Sequence, residues 1–165
     1  CFEWDFLELQ GFHNWYYQYK NTQTGEIKKM IKEDAQWRCP DSNFCIIQQG
    51  FLHCDGIYDP LLTWQAPKRG TVEVLAEATR RANGGDGTQL YILHNEKKQL
   101  WNQILINDPN AVYFVNLQVN VNAGDTLIFG TNQISNPDCD GVYLAPVIRY
   151  IIRKDETNES TNRCF

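Results

Sequence analysis

Two stretches of the sequence carry closely spaced side chains of the kind that bind a sugar. Residues 132–140 are rich in Asn and Asp, and residues 51–59 combine His, Asp and Tyr. Sugars are recognised when their apolar C–H face stacks on an aromatic ring while carboxylates and amides bind the hydroxyls. We therefore predict a ligand surface with the Tyr58 ring as its stacking platform. Its five residues are Tyr58, Asp59, Asn136, Asp138 and Asp140.

Two other interpretations of these polar residues are open. Asp and Asn side chains also form turns by hydrogen bonding to their own backbone, without touching any ligand. Alternatively, Asp138 and Asp140 alternate as calcium ligands do, and calcium takes roughly six to eight oxygen ligands of this type. The pair is therefore a candidate structural calcium site, although the chain has no D-x-D-x-D-G loop.

Motifs for catalysis are absent from the sequence. It contains no G-x-S-x-G elbow, no H-E-x-x-H pair and no phosphate-binding P-loop. The three histidines, His13, His53 and His94, do not have the spacing of zinc ligands. We predict a binding protein and not an enzyme.

Six cysteines indicate a disulfide framework. Their even number and the lack of any C-x-x-C pair favour three bridges in an oxidising compartment over a metal site. We expect Cys39–Cys45 to close a small loop and Cys54–Cys139 to join the two polar stretches, whereas Cys1 and Cys164 pair either within one chain or between chains. Asn158 begins an N-x-S glycosylation sequon. With Cys1 expected to follow a removed signal peptide, we predict a secreted, extracellular or cell-surface glycoprotein.

The charge of the chain excludes one class of partner and its hydropathy excludes a membrane span. The formal net charge is -5, and the basic residues are scattered. Nucleic-acid binding rests on clustered Lys and Arg, so no nucleic-acid partner is predicted. No apolar run approaches the roughly 18 residues of a transmembrane helix.

An apolar period of two runs through most of the chain and predicts an all-β fold. The clearest alternation covers residues 112–121, and the short polar link between residues 89–93 and 100–105 predicts a hairpin. We predict one antiparallel two-sheet β-sandwich over residues 1–165, with a core of 10–153 flanked by two arms and a single short helix within 27–35. The side chains predicted to face the core are Trp15, Tyr17, Val72, Val74, Val115, Leu117, Val119, Leu127 and Phe129.

The order of several motifs resembles a known family. An aromatic first strand precedes W-x-A-P-x-x-G-T-V at 64–72, a G-G-D-G turn at 84–87, A-G-D at 123–125 and a closing P-V-I-R-Y at 146–150. This order resembles the galactose-binding-like jelly-roll modules of secreted polysaccharide-active and cell-surface proteins. The resemblance implies a jelly-roll sandwich that binds carbohydrate. Leu144 stands where such modules usually have Trp.

Two functions remain as alternatives. The first is a lectin-like module whose partner is a glycan or polysaccharide. The second is a structural subunit of an extracellular coat or filament, which self-associates through terminal arms that Cys1 and Cys164 would cross-link.

Overall fold

The alternation of apolar and polar side chains produces fourteen β-strands in the computed structural model, which describes residues 9–81, 84–108 and 110–152. The first seven strands are β1 (Trp15–Asn21), β2 (Ile27–Lys29), β3 (Ile31–Glu33), β4 (Gln36–Arg38), β5 (Ile46–Gln48), β6 (Phe51–His53) and β7 (Tyr58–Gln65). The others are β8 (Gly70–Arg80), β9 (Thr88–His94), β10 (Lys98–Leu105), β11 (Tyr113–Val121), β12 (Thr126–Gln133), β13 (Val142–Leu144) and β14 (Val147–Tyr150). One short 3-10 turn, Phe12–Asn14, precedes β1. Within the described residues, no helix has the length and apolar character needed to cross a membrane.

Hydrogen bonding arranges these strands in two antiparallel sheets. The six-stranded sheet has the order β10-β9-β12-β7-β1-β2. The eight-stranded sheet has the order β11-β8-β13-β6-β5-β4-β3, with β14 also paired to β8. The predicted two-sheet antiparallel sandwich is confirmed.

The two sheets face each other across one hydrophobic core. Tyr17 of β1 stacks on Trp37 of β4 with ring centroids 4.6 Å apart and planes 6° apart, so an aromatic pair joins the sheets. The predicted core residues are buried, except that Leu117 is half-buried against the same core. Those buried are Trp15, Tyr17, Val72, Val74, Val115, Val119, Leu127 and Phe129.

The predicted hairpin is formed by β9 and β10, which pair along their length. Its turn contains Asn95 and Glu96 with φ of 53° and 63°. Two successive residues in the left-handed region give a turn whose twist matches that of the flanking strands.

Residues 27–35 are not helical, so the prediction of a short helix there is wrong. They form β2 and β3, separated by the buried Met30. β2 pairs with β1, and the Met30 N–H donates to the Tyr17 carbonyl at 3.0 Å. Pairing with the edge of β1 therefore supplies backbone hydrogen bonds that a helix would make internally.

The four cysteines within the described residues are free thiols: Cys39, Cys45 and Cys54 are buried and Cys139 is exposed. Cys54 Sγ lies 3.8 Å from the Asp140 carboxylate, whereas the Cys139 sulfur lies beside Gly84. The bridges Cys39–Cys45 and Cys54–Cys139 therefore stay predictions. Cys1, Cys164 and the sequon at Asn158 lie outside the described residues.

Candidate functional site

A small hollow of about 210 Å³ lies between three loops. They are the turn between β4 and β5, the segment that follows β6, and the connection between β12 and β13. The second and third belong to the two polar stretches of the sequence, so the fold brings these stretches together. We call the site the loop hollow, and its lining residues are Phe44, His53, Asp55, Pro137, Asp138 and Cys139.

The aromatic ring of the loop hollow belongs to Phe44, which is 66% exposed. Ser42 fixes the turn that carries it: Ser42 Oγ accepts the N–H of Phe44 at 3.2 Å and the N–H of Cys45 at 3.0 Å. The Ser42 hydroxyl in turn donates to the Asp55 carboxylate. One serine therefore positions both the ring and a neighbouring carboxylate, and the ring faces solvent although phenylalanine is usually buried.

Asp138 is exposed on a loop that the Gly-rich turn at 84–87 supports. The Asp86 carboxylate accepts hydrogen bonds from the backbone N–H of Ser135, at 2.8 Å, and from the Ser135 hydroxyl. The hydrogen bond from the hydroxyl holds the pKa of Asp86 below its ordinary value. Gly85 has a φ of 68° and lies so close to the Asp138 carbonyl that a Cβ would clash with it. Glycine is therefore required where this turn meets the loop.

His53 and Asn136 are each held by nearby backbone. His53 Nδ1 lies 2.6 Å from the Cys54 carbonyl oxygen. A carbonyl only accepts, so Nδ1 carries a hydrogen and donates it to this carbonyl. Asn136 Oδ1 accepts the Asp138 N–H at 3.0 Å, which is the turn-forming role left open by the sequence.

Asp140 does not line the loop hollow and is fully buried. Its carboxylate faces the Arg80 guanidinium, and burial raises its pKa. Arg80 also donates to the Cys139 carbonyl at 2.6 Å, which ties the loop to β8. The positive charge beside Asp140 is therefore a guanidinium, and no group of three His, Cys, Asp or Glu within the described residues is arranged to hold a metal ion.

Asp59 and Tyr58 do not line the loop hollow. Asp59 is 3% exposed and accepts hydrogen bonds from the Tyr91 hydroxyl at 2.9 Å and from Asn132 Nδ2 at 2.9 Å. The Tyr91 ring passes over Gly130 to reach it, where any Cβ would collide with the ring. Tyr58 is half-buried and packs in a T-shaped contact with Tyr19, with ring centroids 5.9 Å apart.

Of the five residues predicted for the ligand surface, Asp138 lines the loop hollow and Asn136 lies next to it. Tyr58, Asp59 and Asp140 do not line it: Asp59 and Asp140 are buried, and Tyr58 is half-buried against Tyr19. Phe44 was not among the residues predicted from the sequence, although it stands out there as a large apolar side chain at the end of the short polar run 41–43. Such a residue in a turn has no core to enter unless the turn folds inward.

Comparison with known proteins gives fold-level similarities only. No protein-family model and no curated protein matches the chain. Several solved structures are similar to it. A family 35 carbohydrate-binding module from Clostridium thermocellum is 16% identical, with a TM-score of 0.34, over 56% of this chain and 78% of that one. The C-terminal CBM6 of LamC, a laminarinase from Zobellia galactanivorans, is 14% identical, with a TM-score of 0.37, over 80% of this chain and 98% of that one. A pika GITRL is 12% identical, with a TM-score of 0.38, over 85% of this chain and 98% of that one.

Proposed function

We propose that this chain is a carbohydrate-binding module that holds a glycan in the loop hollow and has no catalytic activity of its own. The observation that carries the proposal is the 66% exposed ring of Phe44 in the same hollow as the carboxylates of Asp55 and Asp138. The ring offers its face to the C–H side of a sugar. The carboxylates accept hydrogen bonds from the hydroxyls around its edge.

The loop hollow is held in shape before any ligand arrives. Ser42 fixes the turn of Phe44, Asp86 fixes the loop of Asp138 through Ser135, and Arg80 anchors the Cys139 carbonyl. A site whose loops are already ordered loses little conformational entropy on binding. This supports a binding role for loops that are otherwise short and polar.

The size of the loop hollow limits what it holds. Its volume of about 210 Å³ is below the range of about 300–1,000 Å³ that is usual for pockets enclosing a drug-sized ligand. We propose that it takes one sugar unit of a longer glycan, with the remaining units in solvent. Affinity for a single chain is then weak, and multivalent presentation strengthens it.

We also propose that the protein works outside the cell. Cys39 and Cys45 lie opposite each other, as a disulfide requires, and Asn158 provides a glycosylation sequon. The alternative, a coat or filament subunit, rests on Cys1 and Cys164 beyond the described residues. It stays a prediction.

The test is a glycan array followed by calorimetry on Phe44→Ala. Loss of an aromatic stacking contact worth about 0.5–1.5 kcal/mol, together with buried area, should weaken binding several-fold to tenfold. Phe114→Ala is the matched control, because Phe114 is 68% exposed on β11 and does not line the loop hollow. Wild-type binding to no glycan, or an equal loss in both variants, would contradict the site. Release of sugar from a bound polysaccharide by the wild-type protein would contradict the non-catalytic role.

A further inference from the structure

The polar walls of the loop hollow carry charge of one sign. The residues that line the hollow include Asp55, Asp138 and His53, and they include no Lys or Arg. The whole chain also has a formal net charge of -5. A ligand that enters the hollow therefore meets hydrogen-bond acceptors and the negative charge of Asp55 and Asp138.

Three arginines lie on adjoining elements, and two of them are paired with carboxylates: Arg38 with Glu33 and Arg80 with Asp140. The third, Arg81, lies over the neutral ring of Phe51 and keeps its charge, but it does not line the hollow. The Arg80 side chain is fully excluded from solvent. It therefore stabilises the loop from inside and offers no donor to a ligand.

An aromatic face beside two carboxylates is a combination that attracts a cation. The face of an aromatic ring is the negative pole of its quadrupole, and it draws an ammonium group within about 6 Å of its centre. A carboxylate binds the same group by a charge-assisted hydrogen bond, which is about twice as strong as a neutral one. Phe44, Asp55 and Asp138 supply both interactions around one hollow.

We infer that the loop hollow selects glycans with free amino sugars, such as oligomers of glucosamine, over neutral glycans and against glycans of uronic acids. This inference rests on the proposed carbohydrate-binding function. The 2-ammonium group of the sugar lies between the Phe44 ring and the carboxylates, and the C–H face of the same sugar stacks on the ring. N-acetylation removes the charge, and a uronate brings a negative group toward two others.

Three oligosaccharides of equal length separate these classes: oligomers of glucosamine, N-acetylglucosamine and galacturonic acid, titrated by calorimetry in mildly acidic buffer, in which the glucosamine amino groups are protonated. We expect the glucosamine oligomer to bind about tenfold tighter than the acetylated one, equivalent to about 1.4 kcal/mol. No binding is expected for the galacturonate oligomer. Added salt should reduce the preference, because the site is partly open to solvent.

Variants distinguish the loop hollow from general attraction between an acidic protein and a cationic sugar. Asp138→Asn should remove most of the tenfold preference, because it lowers the affinity for the glucosamine oligomer far more than the affinity for the acetylated one. Glu77→Gln removes one exposed carboxylate on β8, outside the hollow, and should leave the preference unchanged. Equal affinity for the two hexosamine oligomers, tighter binding of galacturonate, or an equal effect of both variants would overturn the inference and leave the proposed function standing. Failure to bind any of the three oligomers or any other glycan would overturn the proposed function as well.

Discussion

Asp140 Oδ1 lies 3.5 Å from Arg80 Nη2, and both side chains are fully excluded from solvent. Arg80 Nη2 also donates to the carbonyls of Cys139 and Gly84, at 2.6 and 3.1 Å. Arg80 Nε and Nη1 have no hydrogen-bond partner among the described residues. This buried pair therefore links β8 to the loop of the candidate site. The negative charge of Asp140 compensates the buried positive charge of Arg80.

Replacement of Asp140 by Asn should destabilise the protein strongly. It leaves the Arg80 guanidinium buried without a countercharge, and breaking a buried pair from one side costs about 3–5 kcal/mol. Chemical denaturation with urea measures the change in the free energy of unfolding. The exposed Asp138→Asn is the control and should stay within about 0.5 kcal/mol of wild type.

A double variant that removes both charges of the Arg80–Asp140 pair tests whether the unpaired charge causes the loss of stability. Arg80→Met combined with Asp140→Leu should recover a large part of the stability lost in Asp140→Asn, because no unpaired charge remains. If Asp140→Asn is as stable as wild type, the pair is not a structural ion pair.

The second prediction concerns the pH dependence of stability. Burial raises the pKa of Asp59 to about 6, although hydrogen bonds from Asn132 and Tyr91 oppose the change. Between about pH 4 and 6 the folded state then binds this proton more tightly than the unfolded chain does. Stability should therefore fall as the pH rises through that window, by about 3 kcal/mol for this one carboxyl.

Urea denaturation of wild type and Asp59→Asn at several pH values isolates the contribution of Asp59. In a plot of the free energy of unfolding against pH, the curve of Asp59→Asn should fall less steeply between about pH 4 and 6 than that of wild type, because the contribution of this carboxyl is absent. The comparison uses slopes, because Asn cannot accept both hydrogen bonds in the same way and shifts the absolute stability. Identical slopes in the two proteins would show that Asp59 does not titrate in this range.

The third prediction concerns Cys39 and Cys45. The β4–β5 register pairs Arg38 with Ile46, and the Cys39 N–H donates to the Cys45 carbonyl at 3.0 Å, so the two cysteines are direct cross-strand neighbours. Such hydrogen-bonded pairs have Cα atoms about 5.5 Å apart, which suits a disulfide. A hydrogen bond with the Cys45 thiol lowers the pKa of Cys39, which favours its thiolate as the attacking group in exchange with a low-molecular-weight disulfide.

Peptide mass spectrometry of air-oxidised protein should find the Cys39–Cys45 bridge, and its formation should stabilise the fold by about 2–3 kcal/mol. A reductant then lowers the unfolding midpoint of wild type. The lowering should be smaller in the double variant Cys39→Ser/Cys45→Ser, whereas Cys139→Ser serves as an exposed single-cysteine control. Free Cys39 and Cys45 thiols in oxidised protein would contradict the prediction.

The local pattern of the sequence predicted the layers of this fold. Alternation assigned Val115 and Val119 of β11 to the core, and the short polar link with Asn95 predicted the β9–β10 hairpin. Period-two patterns work because successive strand side chains point to opposite faces whatever the partner strand is. The same reasoning was wrong at residues 27–35, where pairing with β1 outweighed local preference.

The candidate site was decided by tertiary structure. Tyr58 and Phe44 are both aromatic residues near loops, but Tyr58 packs on Tyr19 while Phe44 is held outward by Ser42. Asp138 and Asp140 are two residues apart, yet one is exposed and the other is buried against Arg80 of a distant strand. The sequence by itself determined residue types and strand faces, because these depend on local periodicity. Which loop side chains reach solvent depends on elements far apart in the chain, and only their packing decides it.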